Sequence, residues 1–98
     1  MMEKNRNSWV DIKAEDLLAT KLRVKIINIL ARCKEINISG LVKKARSNHA
    51  EVMKQVEYFK KIGLVDEKYY GRIHIIRIKS NKLLGKILID FFKMFKEP

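Results

Sequence analysis

The sequence predicts a mainly helical α+β domain with one small β-hairpin, and three observations predict it. Between positions 21 and 62 the apolar residues recur three and four apart in successive stretches, which is helical spacing. Each stretch follows a Thr, Ser or Asn suited to capping a helix start. From Leu64 to Lys79 the pattern changes to two runs rich in Ile, Val and Tyr around Gly71, which is the pattern of paired strands.

With 98 residues the chain makes one domain, and the spacing divides it into three parts. Residues 1–10 are polar apart from Trp9 and Val10 and are expected to form a flexible tail that docks through Trp9. Residues 11–79 form the folded domain, and residues 80–98 form a terminal helix.

Asp11 is the expected cap of a short helix from Ile12 to Ala19, with Glu15 and Asp16 near its positive N-terminal end. Thr20 caps a longer helix, Lys21 to Lys34. Its residues Leu22, Ile26, Ile29, Leu30 and Cys33 fall on one face, so Cys33 reads as a small buried hydrophobe. Ile36 to Ile38 is a β-branched stretch expected to make a one-pair strand or an extended turn. Ser39 then caps a helix that turns Leu41, Val42 and Ala45 inward and leaves Lys43, Lys44 and Arg46 outside.

Asn48, three residues before Glu51, forms a variant of the capping box and starts the next helix, with the Glu51 carboxylate engaged in the cap. Val52, Val56 and Phe59 give that helix a narrow inner stripe, and Gly63 supplies the left-handed residue that stops it. Two strands follow, Leu64 to Tyr69 and Arg72 to Lys79. Ile73, Ile75, Ile76 and Ile78 do not alternate cleanly, which predicts a bulge or partial cover on both faces. Asn81 or Ser80 caps the terminal helix, which runs to about Lys96.

That order is a helix-turn-helix followed by a hairpin wing, with the terminal helix appended. Such an arrangement sets one helix in the major groove of duplex DNA and the hairpin tip against the minor groove or backbone. The charge agrees: 22 Lys and Arg oppose 11 Asp and Glu, a net +11 with a pI near 10.0. Such a surface attracts polyanions, although charge by itself leaves an anionic membrane or ribosomal RNA equally open.

Setting the inner stripe inward leaves His49, Ala50, Met53, Lys54 and Glu57 facing out. Lys54 suits phosphate or a guanine edge, Asn48 and His49 can donate or accept in the groove, and Ala50 or Met53 fits a thymine methyl. Glu57 is expected to pair with Lys54, Lys60 or Lys61. Lys43, Lys44, Arg46 and Ser47, before and in the turn, cross the phosphate backbone and supply affinity. In the hairpin tip, Tyr70 and Arg72 are the candidate contacts, with Arg72 suited to a narrow minor groove and one of Tyr69 and Tyr70 packed on the sheet. His74 and Arg77 are expected on a solvated face.

In the terminal helix, nine of 13 residues from Leu83 to Phe95 are Leu, Ile, Phe or Met. Leu84, Ile87, Leu88, Phe91, Phe92 and Phe95 are the expected interface of a two-fold dimer, because one small domain does not easily cover so wide an apolar surface. The competing reading folds this helix back as core of its own domain.

No catalytic constellation, Gly-rich phosphate loop or metal-ligand spacing is present, so no enzyme activity, cofactor or metal is expected. One cysteine excludes an intrachain disulfide. The N-terminus lacks an apolar signal core and no uncharged run reaches ~20 residues, so the expected location is cytoplasmic, on the nucleoid, with no membrane association.

The stretch from Leu17 to Leu30 (LLATKLRVKIINIL) resembles the opening helices of ArsR- and MarR-type winged-helix regulators. From Val56 to Val65 (VEYFKKIGLV) the chain resembles the end of their recognition helix and their first wing strand. The likeness spans roughly residues 15–79, and the Gly-Leu-Val junction is its most specific part. The terminal helix is similar to the dimerisation helix of PadR-like and small archaeal winged-helix proteins. The resemblance implies a homodimer on a pseudo-palindromic site, usually a repressor. The cysteine and histidine ligands of metal-sensing members have no counterpart here, and no small-molecule ligand is indicated. The same small basic dimeric form serves chromatin and plasmid-partition proteins that coat DNA, and a winged helix can also serve as a protein-interaction module.

Overall fold

A computed structural model describes residues 11–97, which form five helices and a three-stranded sheet. The order is α1 (Ala14–Leu17), α2 (Lys21–Cys33), β1 (Glu35–Asn37), α3 (Ile38–Ala45), α4 (His49–Lys61), β2 (Val65–Tyr70), β3 (Ile73–Ile78) and α5 (Leu83–Phe92). The sheet is antiparallel in the order β1-β3-β2. The proposed tail and its Trp9 anchor lie outside the described residues.

The caps explain where each helix begins. Thr20 accepts the Arg23 amide at 3.0 Å, and Asn48 accepts the Glu51 amide at 2.9 Å, both as expected. Two caps differ from expectation. Asn37, not Ser39, opens α3 by accepting the Gly40 amide at 2.7 Å, because β1 ends there in extended backbone and frees its side chain. Lys82 occupies the cap position of α5 without a side-chain bond, so neither Ser80 nor Asn81 caps it. The first helix is one turn long and starts after Lys13, well inside the span expected from an Asp11 cap.

Gly63 ends α4 as anticipated. Its φ of +79° lets the Leu64 amide reach back to the Phe59 carbonyl at 2.8 Å while the Gly63 amide bonds Lys60 at 3.0 Å. Leu64 and Phe59 are both fully buried, which seals the turn and aims the chain into β2. The hairpin closes at Gly71–Arg72, with positive φ at the glycine alone, as a two-residue II′ turn requires.

Strand pairing runs without interruption from Val65↔Ile78 to Tyr70↔Ile73, so there is no bulge. The imperfect alternation instead reflects cover on both faces: Ile76 and Ile78 are buried while Ile75 is half-buried on the other side. The Ile36 stretch becomes a true third strand, paired through Ile36↔Ile76.

The core gathers Ile26, Ile27, Leu30, Leu41, Val52, Val56, Phe59 and Ile76, all essentially inaccessible to solvent. Burial of apolar side chains at ~1.5–3 kcal/mol each supplies the main stabilising term. Cys33 is exposed, contrary to expectation. It occupies the final position of α2, on the rim of an open groove beside Ile29 and Lys44.

α5 packs chiefly on α2. Leu88, Ile89 and Phe92 are buried there, whereas Ile87, Phe91, Met94 and Phe95 remain exposed. The helix ends at Phe92, short of Lys96, where Arg32 of α2 donates to the carbonyls of Phe92 at 2.6 Å, Lys96 at 2.9 Å and also Phe95. A guanidinium from a neighbouring helix thus satisfies the carbonyls that a helix terminus leaves open. Gly85 fits against the chain just before α5: a Cβ there would sit 2.1 Å from the Lys79 carbonyl oxygen.

Candidate nucleic-acid interface

The turn between α3 and α4 collects most of the residues singled out from the sequence. Lys43 and Lys44 lie exposed on the last turn of α3. Arg46 follows in left-handed backbone at φ 54°, exposed, and Ser47 is half-buried with its amide on the Val42 carbonyl. Asn48, His49 and Ala50 are exposed at the start of α4.

One turn further along α4 the outer side is less complete than expected. Lys54 is 70% exposed and stands 3.9 Å from Glu51, whose carboxylate therefore answers this lysine. Met53 is half-buried and packs against the core, standing three residues before the buried Val56 on a neighbouring face. Glu57 is exposed and pairs with Lys60 at 3.4 Å. Exposed pairs of this kind contribute little to stability.

α4 spans 13 residues, so ~20 Å separates the turn from the base of the wing. At the wing tip Arg72 is exposed and Tyr70 is 60% exposed. Tyr69 is equally exposed and lies against His74, so neither tyrosine is buried in the sheet. His74 is not on a solvated face. It keeps 13% of its side-chain surface and contacts Glu67. Arg77 is half-exposed and makes a two-pronged bond to Asp66 at 3.2 and 3.1 Å across the β2–β3 pair.

The six residues expected at a dimer interface divide. Ile87, Phe91 and Phe95 form an exposed apolar strip, together with Met94. Leu88 and Phe92 face α2 within the same domain, and Leu84 is half-buried against that core. A helix with apolar residues nearly all round can pack against its own domain and still leave a second apolar side.

Three polar features were not anticipated. Gln55 is the buried polar side chain among the described residues, at 6% exposure, and its Oε1 accepts Nε of Arg23 at 2.8 Å. The same guanidinium donates to the Asp16 carbonyl at 2.5 Å and lies 3.8 Å over the Tyr58 ring. Arg23 therefore fastens α4 to α1 and α2. Helical spacing contained the signal, since Gln55 falls between Val52 and Val56 on the inner side. The second feature is the Arg32 clamp on α5, which has no local signature. The third links Lys60, Glu67 and His74, where strand parity places His74 on the same face as Ile76.

Burial alone would raise the Glu67 carboxyl, but hydrogen bonds from Lys60 and His74 outweigh it and hold it below its ordinary value of 4.5. The same bond to Glu67 raises Lys60. Among the described residues no group of histidine, cysteine and carboxylate side chains is arranged to hold a metal ion. No helix there is long and apolar enough to cross a membrane.

No family model and no curated protein matches the chain. Solved structures do. The antimony-specific transcriptional repressor AntR is 15% identical, with a TM-score of 0.65 over 81% of this chain and 67% of that one. NadR, crystallised in complex with 4-hydroxyphenylacetate, is 16% identical, with a TM-score of 0.64 over 96% of this chain and 77% of its own. An ArsR family transcriptional regulator is 18% identical, with a TM-score of 0.58 over 81% and 77%. The chain thus has the winged helix-turn-helix fold shared by ArsR-like and MarR-like regulators, as the sequence resemblance implied.

Proposed function

We propose that this protein is a dimeric, non-enzymatic, duplex-DNA-binding regulator of transcription. The observation that carries the reading is the conjunction of this fold with exposed Lys43, Lys44, Arg46 and Lys54 around the start of α4 on a chain of net charge +11. In this reading residues 48–62 enter the major groove. Asn48, His49, Ala50 and Lys54 meet base edges, and Met53 contributes only its exposed flank. Lys43, Lys44, Arg46 and Ser47 hold phosphates, while Tyr70 and Arg72 approach the minor groove or backbone. A second copy covers Ile87, Phe91 and Phe95, and two-fold symmetry then fixes the spacing of two half-sites at roughly 34–36 Å.

Recovering and sequencing the DNA bound by the full chain tests the reading, together with titration of a mixed-sequence duplex. One enriched, two-fold-related site supports a regulator. Uniform coating with a steep salt dependence, about 10³–10⁵ in affinity between 50 and 200 mM for ~6–10 phosphate contacts, would instead identify an architectural or partition protein. Absence of binding to any duplex in dilute buffer refutes both and leaves the protein-interaction module.

A further inference from the structure

Beyond Ile75, β3 has no pairing with β1, so the outer part of the hairpin is a two-stranded ribbon. Such ribbons twist strongly and are marginal when isolated. Something must set the direction in which this one points.

Glu67 pairs with Ile76 at the base of the ribbon and reaches Lys60 of α4. Alternation puts Glu67, Tyr69, His74 and Ile76 on one side of the hairpin, the side on which Ile76 and Ile78 enter the core. Glu67 and His74 consequently keep only 13% of their side-chain surface each. Oε2 of Glu67 lies 2.5 Å from Nε2 of His74, and Oε1 is ion-paired with Nζ of Lys60, in the last turn of α4. The Tyr69 ring stacks on His74 at 4.4 Å and 13°, so the tether continues to within one residue of Tyr70.

We propose that Glu67 is a positioning residue for the wing: by holding Lys60 of α4 and His74 of β3 together, it fixes the angle at which Tyr70 and Arg72 are presented relative to the outer side of α4. The inference rests on the DNA-binding reading above. It makes a prediction opposite in sign to simple electrostatics. Glu67→Gln removes a negative charge from a DNA-binding surface and should by charge alone tighten binding. If Glu67 positions the wing, the same change weakens binding, because Arg72 and Tyr70 lose their fixed approach.

The test is a fluorescence-anisotropy titration of the full chain with a mixed-sequence duplex, paired with a thermal melt of each variant. Glu67→Gln is expected to weaken binding about tenfold, ~1.4 kcal/mol, in the range of one intramolecular hydrogen bond. His74→Phe preserves an aromatic ring beside Tyr69 but cannot bond Glu67, and should weaken binding in the same direction. Both losses should shrink when Arg72→Ala is already present, since only Tyr70 is then left to misplace. Unchanged or tighter binding by Glu67→Gln overturns the proposal, as does an equal loss in the Arg72→Ala background. A wild-type chain that binds no duplex overturns the DNA-binding reading itself; wild-type binding with a tighter Glu67→Gln overturns the positioning role alone.

Discussion

Phe91 and Leu88 lie three residues apart on α5, and substituting each should affect a different property. Phe91 is 47% exposed, Leu88 6%. A phenylalanine has roughly 200 Å² to bury, so about 95 Å² of Phe91 is available to a second copy. At ~25 cal/mol per Å² that is about 2.4 kcal/mol per protomer, and two-fold symmetry counts it twice. Phe91→Gln should therefore weaken self-association by ~5 kcal/mol at most, on the order of 10³-fold, with the monomer still folded. Leu88→Ala removes methyl groups packed against α2 and should lower folding stability by ~2–5 kcal/mol. Sedimentation equilibrium across a range of concentrations measures the first effect, and thermal melting at fixed concentration measures the second. If Phe91→Gln sediments as wild type does, this side of α5 is not where two copies meet. An unchanged melt for Leu88→Ala would refute the packing of α5 on its own domain.

Three further outcomes are expected. Gln55→Ala strips the Arg23 guanidinium of a partner inside the domain and should cost ~1.5–3 kcal/mol in urea unfolding; a loss below ~0.5 kcal/mol would mean that solvent replaces the bond. Gly85→Ala drives a methyl into the Lys79 carbonyl, so α5 must shift off α2; circular dichroism should show a lower melting temperature, whereas an unchanged one would place α5 elsewhere. Glu67 has a folded-state value below its ordinary 4.5, so its contribution is full above pH 4.5 and fades as pH falls through the lower folded value. Between pH 5 and pH 3 the melting temperature should thus fall more for wild type than for Glu67→Gln, and parallel declines would contradict the shift.

The helix-turn-helix was legible because its determinants are local. A cap such as Thr20 or Asn48 bonds an amide three residues on, Gly63 satisfies its own turn, and the stripe Val52–Val56–Phe59 expresses the helical repeat directly. Cap assignments failed where the preceding backbone decided the outcome. Asn37 displaced Ser39 because β1 pairs with β3, a partner some forty residues away, and that pairing ends at Asn37.

What the sequence determined unaided was the order of elements, the basic charge around the α3–α4 turn, and the wide apolar surface of α5, since composition and spacing carry all three. Tertiary structure alone decided which side of α5 stays in the domain, that Met53 turns partly inward, and that Arg23 meets Gln55. It also decided that Arg32 closes α5 and that Glu67 joins Lys60 to His74. Each of those outcomes depends on atoms brought together from separate elements, and a side chain's partner across such a distance leaves no periodic trace along the chain. Helical spacing can say that a residue points inward; only the packed neighbours say what it finds there.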